Sequence, residues 1–235
     1  MSRQKLLSGI HLEVNPNAMH LAFQTPHLIL NSAVLNGGLV EADHLVNLRV
    51  PKENPQPCHT PEQTLQNFCN VNGWSGTTVG MMTSASINSF RIQQRKVQGV
   101  DIVVMLTTGL ANARRIGDPA EYRKIATLPA EVGTINLAIL TSAQLTEAAM
   151  VEIIMMATEA KTAALQNAQI LSPVSNQIAT GTGTDSTAVI SGKSAPTIRY
   201  CGKHVLFGEV LGELLIDAIT DSILPDKTPA RKQLA

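Results

Sequence analysis

Residues 143–168 offer about seven turns of strong helix formers, directly after a buried-strand run at 134–140. Within the helical stretch Ile153, Ile154, Met155, Met156 and Ala157 are consecutive. A surface helix needs a polar face, so five apolar residues in a row predict a helix covered on several sides. Such a helix belongs to the core and not to the surface. Thr141 and Gln144 suit a capping box at its start.

The chain before this point is strand-like. Residues 10–14, 18–23 and 27–31 are short runs separated by Asn15-Pro16-Asn17 and Thr25-Pro26, and 45–50 reads as another strand. Residues 91–97 and 101–107 read as a hairpin around Gln98-Gly99. After the long helix, strands are expected at 187–191 and 197–200, then a last helix at 205–222 in which Gly208 and Gly212 would let a neighbouring backbone approach. The expected fold class is α+β: a mixed, mostly antiparallel sheet with long helices of the C-terminal half packed on it. With 235 residues, one domain over 1–224 is expected, followed by a flexible tail at 225–235.

Charge excludes several functions. Eighteen basic residues balance eighteen acidic ones, so no overall field draws the chain to a phosphate backbone or an anionic membrane. Seven aromatic residues are too few for a base-stacking platform, which argues further against nucleic acid. Cys58, Cys69 and Cys201 are odd in number and far apart, without a Cys-x-x-Cys pair, which fits a reducing cytoplasm and no zinc knuckle. Neither a signal core nor an apolar run of membrane-spanning length is present.

The most unusual local sequence is Ala179-Thr180-Gly181-Thr182-Gly183-Thr184-Asp185-Ser186. It is no dinucleotide fingerprint, because a strand and not a helix follows. It is no P-loop either: Gly192-Lys193-Ser194 has the right ending, but Thr187 stands where the first glycine belongs. Two readings remain, a plain turn, or a loop whose N–H groups and hydroxyls converge on a polar ligand with Asp185 as acid, base or orienting group. Glu159, three and four residues after Met156 and Met155, is either a desolvated general base or half of an internal ion pair. His204 and Glu209 lie about 140° apart on a helix, unlike a zinc-binding pair, and His204 reads first as a capping or packing residue. No Gly-x-Ser-x-Gly elbow occurs. Asn31-Ser32-Ala33 and Asn36-Gly37-Gly38 suit a strand-end turn or a ligand lip equally well.

Read in order, these segments join others: Val46-Asn47-Leu48, Gly80-Met81-Met82-Thr83, Thr107 to Ala113, Gly117-Asp118-Pro119, Gly133-Thr134-Ile135-Asn136, Ala157 to Leu165, Gly202-Lys203-His204 and Phe207-Gly208-Glu209. Over about residues 28–220 the ordered set resembles the adenosylcobinamide amidohydrolases. Members of that family hydrolyse the amide that joins aminopropanol to the corrin ring, giving adenosylcobyric acid. The resemblance implies that reaction, a corrinoid substrate whose cobalt arrives already bound, and no catalytic metal or other cofactor of the protein's own. It brings no assigned catalytic residues. Amide hydrolysis needs water activation, oxyanion donors and an acid for the amine. The candidates are Asp185 or Glu159 for water, His204 for proton transfer, and Asn36, Gly37, Asn112, Gly181, Thr182, Gly183 and Thr184 for substrate contacts. A wide cleft of neutral polar donors is expected, in a cytoplasmic protein that a homo-oligomeric contact through residues 153–157 would also suit.

Overall fold

The computed structural model describes residues 4–51, 59–120 and 134–224. Cys58, Gly133 and the tail at 225–235 therefore lie outside the described residues. Strands β1 (Gln4–Leu7), β2 (Ile10–Asn15), β3 (Ala18–Asn31) and β4 (Gly38–Arg49) run as an antiparallel meander. The runs at 18–23 and 27–31, expected as two strands, are one, with the register shift between Ala22 and His27 falling around Pro26. Proline has no ladder donor, so the irregularity sits where the chain cannot pair regularly.

Helix α1 (Pro61–Val71) and strand β5 (Thr78–Thr83) were not expected. Thr60 caps α1 in a reciprocal capping box with Gln63, and Pro61 opens its first turn. The helix carries the chain across so that β5 pairs parallel with β4. The strands β6 (Arg91–Val97) and β7 (Val100–Thr108) form the expected hairpin, followed by the short β8 (Ala113–Arg114) and by β9 (Ile135–Thr141). Residues Ala143–Leu145 form a strand, β10, and α2 (Glu147–Asn167) starts only after it with Thr146 as its cap. The cap expected from Thr141 and Gln144 is thus corrected, because β10 pairs with β13 (Ser194–Ile198). Between them lie β11 (Gly181–Thr182) and β12 (Ser186–Ile190), and α3 (Leu206–Ile223) closes the described chain.

The main sheet runs β1-β2-β3-β12-β9-β7-β6, with β4 and β5 continuing from the other edge of β3. It is mostly antiparallel, and its two parallel pairs, β4/β5 and β9/β12, are the two whose strands are joined through a helix. Alternation along the strands divides the core. Ile102, Val104, Leu106, Leu137 and Ile139 pack under α2 and α3, while Val103, Met105, Ala138 and Leu140 meet Leu45, Val79 and Met81 from β4 and β5. The sheet therefore curls until its two halves face each other. Leu65 of α1 covers the outer side of β4 with Val46 and Leu48. Long helices do pack on the sheet from the C-terminal half, but a third, α1, comes from the N-terminal half. No helix among the described residues is long and apolar enough to cross a membrane.

In α2, Ile153, Met156 and Ala157 are buried, but Met155 is 58% exposed, so the apolar run is covered on most sides and not all. Of the two glycines of α3, only Gly208 meets backbone: a Cβ there would lie 2.1 Å from the Gly202 carbonyl oxygen, whereas one at Gly212 would lie 3.6 Å from Met156 Cε. Gly208→Ala is expected to destabilise the protein by about 1–3 kcal/mol through overpacking. Gly212→Ala should be neutral or stabilising by up to about 1 kcal/mol. Urea unfolding of the two variants side by side checks the contrast.

Candidate active site

The loop at 179–186 is held on both sides. β11 pairs antiparallel with β8, and Gly183 N donates to Asn112 O at 3.3 Å. Beyond the turn the chain enters β12, which runs parallel to β9. Asp185 closes the turn. Its Oδ1 accepts from Ile135 N at 2.9 Å and from the Thr182 hydroxyl, and its Oδ2 accepts from Thr182 N at 3.0 Å and from Lys161 Nζ at 2.5 Å. The Lys161 and Asp185 side chains are only 11% and 12% exposed. A charge so withdrawn from water requires a partner, and each has one.

Space explains the glycines better than backbone freedom, since neither Gly181 nor Gly183 has a positive φ. A Cβ on Gly181 would stand 2.5 Å from Asp185 Oδ2 and 3.3 Å from Lys161 Nζ. One on Gly183 would stand 3.2 Å from Asn112 Nδ2. The Gly-Thr-Gly-Thr pattern thus lets an ammonium group and a carboxamide close on the loop.

These residues floor a cleft of about 750 Å³ between α2, β8 and the loop. Lys161, Thr158 and Thr162 line it from α2, and Asn112, Arg114 and Asp118 from the opposite wall. Asn112 is buried, and its Oδ1 has no hydrogen-bond partner among the described residues. Hydrogen bonds, first from the Ser172 hydroxyl and also from Arg115 N, hold the Asp118 carboxyl below the usual carboxylate range. Ile116, 86% exposed, forms an apolar rim.

Behind the loop is a buried polar chain. Thr134 Oγ1 lies 2.7 Å from Thr184 O and 2.9 Å from Asn136 Oδ1. Asn136 Nδ2 donates to Asn47 Oδ1 at 2.7 Å and to Met82 O at 2.8 Å, and Asn47 Nδ2 donates to Thr107 Oγ1 at 2.9 Å. It links the facing halves of the sheet, and it accounts for Asn47, Thr107, Thr134 and Asn136 among the segments picked out above.

Asp185, Asn112 and residues 181–184 are thus brought together around one cleft. The others are elsewhere. Glu159 is exposed and paired with Lys203, so its expected burial is corrected. The buried face of α2 runs through Ile153, Ala157, Ala160, Lys161 and Ala164, and Met155 with Glu159 lies on the opposite side. His204 is exposed in the turn before α3. Asn36, with φ +56°, donates from Nδ2 to Thr78 O at 2.9 Å, and a Cβ on Gly37 would meet Ala33 O at 2.6 Å. That segment is a turn stapled to β5, outside the cleft lining. Lys161 was the residue passed over, although one helical turn beyond Ala157 is where the buried stripe returns. Among the described residues no group of three or more His, Cys, Asp or Glu is placed to hold a metal ion.

Cys201, fully buried, has its thiol pushed up to about 12 by burial and by the Glu152 carboxylate. At about pH 8 it should resist iodoacetamide until the protein unfolds, which peptide mapping after native alkylation reads directly.

A family model described as adenosylcobinamide amidohydrolase matches residues 3–229. An adenosylcobinamide amidohydrolase of Methanosarcina mazei is 25% identical over 190 residues, covering 80% of this chain and 86% of that protein. An uncharacterized protein of Methanocaldococcus jannaschii is 28% identical over 202 residues, covering 80% and 79%. Among solved structures, a Burkholderia β-aminopeptidase matches with a TM-score of 0.44 at 12% identity, covering 90% of this chain and 80% of that one. The L-aminopeptidase D-Ala-esterase/amidase of Ochrobactrum anthropi matches with a TM-score of 0.40 at 9% identity, covering 92% and 82%. At that distance nothing of those two enzymes transfers to this chain. The family match spans nearly the whole sequence, and the chain belongs to the adenosylcobinamide amidohydrolase family.

Proposed function

We propose that the protein hydrolyses the amide joining aminopropanol to the corrin ring of adenosylcobinamide, giving adenosylcobyric acid and aminopropanol, in cytoplasmic corrinoid salvage. The reaction belongs in the cleft between α2 and the β8/β11 ribbon. The observation that carries this reading is the buried Lys161–Asp185 pair on the cleft floor. It is a cation and a proton acceptor held against one loop, which is what amide cleavage asks for.

In this reading the Lys161 ammonium faces the oxygen that becomes negative as the carbonyl is attacked. Asn112 Oδ1, lacking a partner of its own, accepts the amide N–H of the substrate and fixes which way the scissile bond lies. Asp185 receives the proton of the attacking group and returns it to the departing amine. The side chain bearing the amide enters the cleft, while the corrin ring, too broad for 750 Å³, stays at the mouth against Ile116. The cobalt belongs to the substrate, and no step uses a metal of the protein.

Incubation of the purified protein with adenosylcobinamide, followed by liquid chromatography and mass spectrometry, tests the reading. Equal amounts of adenosylcobyric acid and aminopropanol are expected. Binding without cleavage would instead make the protein a corrinoid carrier, and an inert protein would sink both.

A further inference from the structure

Asp185 has no lone pair left for a water molecule. Its four acceptor directions are taken by Ile135 N, Thr182 N, the Lys161 ammonium and the Thr182 hydroxyl. Two of those donors are peptide N–H groups, which do not give up a proton in such a reaction, and a third is the cation. Only Thr182 Oγ1 is an oxygen whose proton already points at the carboxylate. Thr182 lines the cleft, half-buried, next to the place where Lys161 Nζ approaches Gly181.

We propose that Thr182 is the nucleophile and that cleavage passes through an ester on its Oγ1, an inference that rests on the amidohydrolase reading above. Thr182 Oγ1 attacks the amide carbon as its proton moves to Asp185 Oδ1. The negative charge leaves the carboxylate and reappears on the carbonyl oxygen, so the same Lys161 ammonium that balanced Asp185 now balances the oxyanion. No charge is created in the buried site; it is moved. The oxyanion then collapses, the C–N bond breaks, and the proton on Asp185 passes to the nitrogen of aminopropanol. Water, entering where the amine has left, adds to the ester carbon and gives a proton to Asp185. The C–Oγ1 bond breaks, Thr182 recovers its proton, and the corrinoid carboxylic acid departs. Each turn consumes one water and restores every group.

The test uses the full chain with adenosylcobinamide. Thr182→Val, which keeps the shape and removes the hydroxyl, should lower turnover by about a thousandfold or more, and Thr182→Ser should retain it to within about tenfold. Thermal melts of both variants separate loss of chemistry from loss of fold. On the unaltered protein, an acid quench during turnover should find the corrinoid acyl group on the peptide containing Thr182. If acylation is the slow step, hydroxylamine should instead divert product into the hydroxamate without changing the rate of aminopropanol release. A Thr182→Val variant that keeps more than about a tenth of the turnover overturns the nucleophile while leaving the amidohydrolase intact. So does a protein that neither accumulates ester nor partitions in this way. Failure of the unaltered protein to cleave at all removes the underlying reading, and this one with it.

Discussion

Lys161→Met is expected to reduce turnover by about a hundred- to a thousandfold, the range seen when a single group facing an oxyanion is removed. The fold should lose about 3–5 kcal/mol as well, because the substitution leaves the Asp185 carboxylate only 12% exposed and without its cation. Methionine matches the length of the lysine stem, so packing against Gly181 changes little and the loss reports on charge. In a chain of 235 residues that corresponds to a drop in Tm of about 10 °C. Calorimetry and the product assay measure the two effects separately. A variant as unstable as expected but fully active at low temperature would reduce the pair to a structural staple.

Asn136→Leu should be nearly as harmful to stability, and for a different reason. The leucine brings no charge problem; it strands the partners of the asparagine. Asn47 Oδ1 and Met82 O lose a donor, and Thr134 Oγ1 loses one of its two acceptors. Asn136 and Asn47 are both about 1% exposed, so water cannot replace what is lost. Each stranded group costs about 1–3 kcal/mol, giving about 3 kcal/mol or more in total. Adding Asn47→Val to Asn136→Leu should cost less than the two changes made singly, since the second then removes a group the first had orphaned. Additive losses in a urea-unfolding cycle would mean that the polar chain does not act as a unit. Turnover in Asn136→Leu should fall only modestly, through Thr134 and its hold on the Thr184 carbonyl.

Where local pattern decides structure, the sequence was readable. The strands β2, β6 and β7 and the helix α3 lie within a residue or so of where periodicity and turn residues put them. Helix α1 was missed although Thr60, Pro61 and Gln63 announce its start, because only Leu65 and Cys69 of its eleven residues are buried and its apolar face is thin. The loop at 179–186 could be singled out because two glycines among hydroxyls are costly to order without a purpose. What those glycines make room for could not be read, since Lys161 reaches Asp185 across 24 positions and Asn112 approaches from the turn before β8. Glu159 was singled out, and Lys161 passed over, by running the stripe of α2 through Met155 and Met156. A helix rich in alanine and methionine has little contrast between its faces, and an error of one or two residues then exchanges the exposed carboxylate for the buried ammonium. Asn36 and Gly37 were equally poised between turn and lip; the bond from Asn36 to Thr78 of β5, and the lack of room for a Cβ on Gly37 beside the Ala33 carbonyl, fit the turn.

The two flanks of Asp185 differ in how firmly they are tied. Toward β12 the loop joins a ladder of five residue pairs with β9 in the middle of the sheet, whereas toward β11 it is tied to β8 by two. Backbone amides on the β12 side should therefore exchange with deuterium only when the whole molecule unfolds, and those of β8 and β11 through local opening of far lower free energy. The cleft thus has one wall that keeps its shape and one that breathes. Ile135, on the first, holds the Asp185 carboxylate in place whatever the second does.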